Sequence, residues 1–142
     1  MTCRIVTTER QLTAVIKVAS PFDKMPETQR TARAALAAAL PSLEAGPVGR
    51  TCTRWTRPTG SVLPMEIGVI VARPFTPQGE VVPSELPAGR AVHLSMAGAF
   101  DGLPRAWQTL FDWCQKEQLA TAGINWETYG ATQDAELYAL LA

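Results

Sequence analysis

The chain has 142 residues, 46% of them apolar and 18% charged, a balance that excludes disorder and leaves room for one domain but hardly for two. Thirteen basic and thirteen acidic side chains cancel, so the basic excess of a nucleic-acid binder is missing and no direct nucleic-acid partner is expected. Cys3, Cys52 and Cys114 are too few and too widely spaced for a disulfide framework or a CxxC metal motif. No stretch reaches the ~20 apolar residues of a membrane span and Met1–Val6 is no signal sequence, so a cytoplasmic location is expected.

In chain order, Gln11–Val18 alternates as a strand, with Leu12, Ala14, Ile16 and Val18 on one side. A loop with Pro21 follows. Glu27–Leu40 is rich in helix formers, with Pro26 suited to its first turn and Pro41 ending it. Its inner face is mostly alanine, so it should lie close to whatever it covers. Arg50–Arg57 and Val62–Ala72 read as a hairpin around Pro58–Ser61. Arg50, Arg54 and Arg57 lie close together and are read as a solvated strand edge. Pro74–Glu85, rich in proline, glycine and polar residues, reads as a connector between two halves, about 1–73 and about 86–142. Leu86–Met96 reads as a strand. Asp101–Gln118 reads as an amphipathic helix, with Asp101 a plausible N-cap and Leu103, Trp107, Leu110, Phe111 and Cys114 as its stripe. Ile124–Tyr129 and Glu136–Leu141 close the chain as strands. Strand, helix, strand, strand thus occurs twice, which predicts an α+β domain with an antiparallel sheet, both helices on one face and a cleft on the other.

Few residues invite chemistry. In the strand Asn125–Tyr129, Glu127 and Tyr129 share one face and Trp126 takes the other. A carboxylate beside an aromatic ring suits a cation or a polarised aromatic ligand. Spacing alone favours a plainer alternative, an exposed glutamate on an edge strand. Glu66 stands in an apolar strand, either as a site carboxylate or as a surface charge. His93 is the only histidine; one histidine makes no multi-histidine metal site, and a structural role is the commoner one. There is no GxSxG elbow, phosphate loop or dinucleotide fingerprint, so neither metal nor cofactor is expected. Trp113, off the helical stripe, is free to flank a pocket or a partner, Trp55 or Trp113 is available to stack on a ligand, and Trp107 reads as core.

Leu86-Pro87-Ala88-Gly89-Arg90, His93, Gly98-Ala99-Phe100, Leu103, Trp107, Leu110, Trp113 and Trp126-Glu127-Thr128-Tyr129 together resemble the second half of the GyrI-like family. Met65-Glu66-Ile67-Gly68-Val69 resembles the first half more loosely. The resemblance implies two β-helix-β-β modules related by a pseudo-twofold, a ligand cleft between them, and a buried glutamate that meets the ligand. Glu127 and Tyr129 match that role, and Glu66, His93, Trp55, Phe100, Trp113 and Tyr138 are further candidates for ligand contact. Phe100 departs from the family's tyrosine and lacks its hydroxyl. The leading expectation is a small-molecule-binding protein for lipophilic, aromatic or cationic compounds, either standing alone or excised from a sensor. The resemblance also allows a hydrolase of cyclopropanoid-type genotoxins, with Glu127 as base and Tyr129 assisting, and a topoisomerase inhibitor with DNA gyrase as partner.

Overall fold

The computed structural model describes residues 1–142. Eight strands and two helices follow in the order β1 (Cys3–Thr8), β2 (Gln11–Pro21), α1 (Met25–Ala39), β3 (Val48–Thr56), β4 (Val62–Val71), β5 (Val81–Leu86), β6 (Gly89–Ala97), α2 (Leu103–Lys116), β7 (Thr121–Tyr129) and β8 (Asp134–Leu141). They form one antiparallel sheet in the order β1-β6-β8-β7-β3-β4-β2-β5. The centre is the β7·β3 pair, and β6-β8-β7 mirrors β2-β4-β3 about it. This is the doubled β-helix-β-β order expected from the sequence.

Two elements were not expected. The sequence pattern does not mark β1 as a strand, and all of β5 but Leu86 falls within the span that reads as a connector. β5 carries Pro83, which an edge strand tolerates because that position need not donate to the ladder. Both strands change partners: β1 precedes the first module but pairs with β6 of the second, whereas β5 precedes the second and pairs with β2 of the first. Asp101 is not an N-cap. It lies in a short 3-10 turn, Phe100–Gly102, and α2 starts behind Gly102 without a side-chain cap.

Strand alternation divides the apolar residues between the faces. Under α1 lie Ala14, Ile16, Met65, Ile67 and Val69 with Ala32 and Leu36 of the helix. Under α2 lie Val92, Leu94, Leu137 and Ala139 with Trp107, Leu110 and Cys114. The helix-free face has a smaller core of Cys52, Leu86, Ala91 and Trp126. Leu86 of the edge strand meets central residues there because the sheet is strongly curved. Only Glu9 and Arg10 join β1 to β2, although these strands stand near opposite edges. Two extended residues cannot cross a flat sheet of this width. Burial in this smaller core also pushes the Cys52 thiol up to about 12, so it stays protonated and unreactive.

Candidate functional site

The central pair β3·β7 puts Thr53 opposite Glu127 on the helix-bearing face. Glu127 is 8% exposed and both carboxylate oxygens are engaged. The indole N–H of Trp107 on α2 donates to Oε2 at 2.7 Å, and the Tyr129 hydroxyl donates to Oε1 at 2.6 Å. A phenol has one hydrogen, and an ionised carboxylate only accepts. The 2.8 Å contact between Tyr129 and Thr53 is therefore made by the threonine hydroxyl donating to the phenolic oxygen. Thr53 Oγ1 in turn accepts from Gln29 at 3.2 Å and from Arg33 at 3.1 Å, both on α1. The chain of donors runs from one helix to the other and ends on the carboxylate.

Burial raises the Glu127 pKa above the ordinary carboxylate value and outweighs the hydrogen bonds from Tyr129 and Trp107 and the charge of Arg33, which lower it. Burial also holds Tyr129 well above its usual range, with the neighbouring Glu127 charge acting in the same direction. The phenol therefore remains a donor. Rings enclose this pair. Trp55 meets Trp107 edge to face at 4.9 Å, Phe111 stacks on Trp107 at 5.5 Å, and Phe100 lies 5.3 Å from Tyr129. The Arg33 guanidinium stands 5.2 Å over the Tyr129 ring. Beside them on β7, Asn125 Oδ1 is buried without a hydrogen-bond partner.

The sequence-predicted residues thus separate by face. Glu127, Tyr129, Trp55 and Phe100 gather on the helix-bearing face, between the helices, and not on the helix-free face, where a hollow does open. Side chains of β7 alternate, and α2 covers the face that Glu127 shares. Trp113 packs on the core beneath α2. His93, Tyr138 and Glu66 lie on the opposite face. Glu66 accepts a short hydrogen bond from Ser84 and is the cross-strand neighbour of Arg54 and Lys17. Trp107, Thr53, Gln29 and Arg33 were not singled out as site residues. Trp107 sat on the helical stripe and read as core; its N–H leaves no mark on periodicity.

On the helix-free face one register line crosses the sheet. Arg4, His93, Tyr138, Trp126 and Arg54 are successive cross-strand partners on β1, β6, β8, β7 and β3. The rings stand in a row, Trp126 parallel to Tyr138 at 5.3 Å and His93 4.9 Å from Tyr138. His93 Nε2 donates to Glu136 at 3.0 Å, and Arg4 Nε donates to Nδ1 at 3.4 Å. A hollow of about 410 Å³ opens over this row.

Among solved structures the chain is similar to EcmrR, both in its DNA complex (TM-score 0.83, 13% identity, 99% of this chain and 57% of that one) and as its C-terminal domain (TM-score 0.78, 14%, 99% and 97%). The chain therefore spans little more than half of EcmrR. It is also similar to SAV2435 bound to tetraphenylphosphonium (TM-score 0.73, 12%, 100% and 94%) and to a hydrolase from Listeria innocua (TM-score 0.65, 9%, 99% and 91%). At such identities the likeness is one of fold. No curated protein matches the sequence. The sequence does match the model of the GyrI-like small molecule binding domain over residues 1–138, and the chain belongs to that family.

Proposed function

We propose that the protein binds lipophilic aromatic cations between α1 and α2, with Glu127 as their counter-charge. This rests on one observation: a buried carboxylate at the centre of the sheet, ringed by Trp55, Trp107, Phe111 and Tyr129, with no salt-bridge partner. Burying an unpaired charge costs stability, and a bound cation offsets that cost. The rings supply stacking area and favour positive charge at their faces. The nearest cation, Arg33, directs its guanidinium to the carbonyls of Cys52 and Gly68 and to Thr53. Phe100 is 40% exposed and lies 5.3 Å from the Tyr129 ring, at the solvent side of the cluster. The binding of tetraphenylphosphonium by SAV2435, a relative in fold, is consistent with this ligand class.

Calorimetric titration with tetraphenylphosphonium and a panel of planar cationic dyes tests the proposal. Affinity should rise with pH as Glu127 loses its proton, because only the carboxylate attracts the cation. Glu127→Gln should weaken cations by about tenfold, the worth of one charge-assisted contact. A neutral aromatic of similar size should change little. No heat from any member of the panel removes the proposal.

Hydrolysis is a second possibility, supported by the direct bond from Tyr129 to a carboxylate whose pKa is raised. Glu127 takes a proton from water as its oxygen attacks a cyclopropane carbon. The ring C–C bond breaks, its electron pair passes to the conjugated carbonyl, and the Tyr129 hydroxyl, no longer held by Glu127 once that group carries the water proton, turns its hydrogen to the oxyanion. The proton then returns from Glu127 to the product. Mass spectrometry of a cyclopropane-bearing alkylator should show the parent outpacing both buffer and Glu127→Gln. Equal rates eliminate catalysis. Inhibition of gyrase rests on the family resemblance alone.

A further inference from the structure

We infer that the helix-free face carries a second binding site, distinct from the one proposed between the helices, for small planar aromatic anions. Its floor is the row of rings Trp126, Tyr138 and His93, the first two stacked and His93 tilted by 36° against Tyr138, spaced like neighbouring strands because they occupy one register line. Arg4 and Thr8 of β1 and Leu86 of β5 stand around it, and the hollow of about 410 Å³ has the size of a small-ligand site. A flat ligand over this floor meets the ring edges with its face, the T-shaped arrangement that aromatic pairs favour.

The charge of the ligand follows from which groups already have partners. Glu136 accepts hydrogen bonds from both His93 and Ser95 through Oε2 and forms no salt bridge with Arg4. Arg4 forms no salt bridge, and its one side-chain hydrogen bond, from Nε to His93, is long at 3.4 Å. Both terminal nitrogens of an exposed guanidinium are left at the rim of an aromatic hollow. Such a fork suits the two oxygens of a carboxylate, sulfonate or phosphate. Glu9 also lines the hollow and repels an anion from its own side, so the anionic group is directed toward Arg4. The sequence points to His93 and Tyr138 but not to their union with Arg4 and Trp126, because the four lie on four different strands.

The test uses the full chain, naphthalene-2-sulfonate as probe, and 2-naphthylmethylammonium as a size-matched cation. Titration calorimetry should give saturable binding of the sulfonate, and NMR should shift the His93 and Tyr138 ring protons. Arg4→Gln, a surface change whose folding is checked by its melting curve, should weaken the sulfonate by about tenfold. Glu127→Gln should leave sulfonate binding unchanged. Any of three results overturns the inference: no sulfonate binding up to millimolar concentration, equal affinity in Arg4→Gln, or loss of sulfonate binding in Glu127→Gln. Tetraphenylphosphonium titrated in parallel reports the cleft alone, so failure at one site is distinguishable from failure at the other.

Discussion

Trp107→Phe keeps the ring in the cleft and removes the donor to Glu127 Oε2. A hydrogen bond to a buried charge is worth about 1.5–3 kcal/mol, and urea unfolding above neutral pH should show a loss of that size. The loss should shrink in acid. Glu127 already takes up its proton at higher pH in the folded chain than in the unfolded one, and the neutral acid needs the indole less. The same linkage gives Glu127→Gln an opposite signature. Because the folded pKa is raised, the parent loses stability as pH climbs from the ordinary carboxylate value through the folded one. The amide has no such dependence, so its melting temperature should gain on the parent's with rising pH, and the two should converge as pH falls below the ordinary carboxylate value. A parent curve that rises over that range would contradict the assigned shift. Glu127 and Tyr129 were legible because a two-residue spacing in a strand fixes a shared face. Which face the helices cover was not, since alternation labels two sides without saying what lies on either.

At the scale of elements, β2 and β4 approach so closely that a Cβ on Gly68 would meet the Ala14 carbonyl oxygen at 2.3 Å. Gly68→Ala should therefore cost about 3 kcal/mol or more through overpacking, seen as a lower urea midpoint. Gly60, in the β3–β4 turn with nothing within 4 Å of a Cβ but a φ of +64°, should lose only about 1 kcal/mol as alanine. Both long amphipathic elements and six of the eight strands follow from period and turn chemistry alone. β1 and β5 escaped for physical reasons. Each is six residues long and lies at a sheet edge. β5 contains Pro83, which normally counts against a strand. Edge strands answer to a partner far away in sequence, and local pattern carries little of that constraint.

The whole molecule is tied together by those same two strands. β1 sits on β6 and β5 on β2, so neither half owns all the strands its sheet needs. Residues 1–73 and 86–142 expressed separately should each fail to give a cooperative melt, and deletion of residues 1–8 should lower the melting temperature by baring the edge of β6. A stable isolated half would show that the exchanged strands are dispensable. The crossed pairing also bears on how the chain is made. During synthesis β1 leaves the ribosome more than eighty residues ahead of Gly89–Ala97, the segment it must pair with. Throughout that interval the nascent chain carries an unmatched strand, a template for pairing with any other extended polypeptide nearby. Slowing translation between Gln11 and Arg90 should lengthen that exposure and raise the share of protein lost to aggregates, while the thermodynamic stability of the finished molecule stays the same.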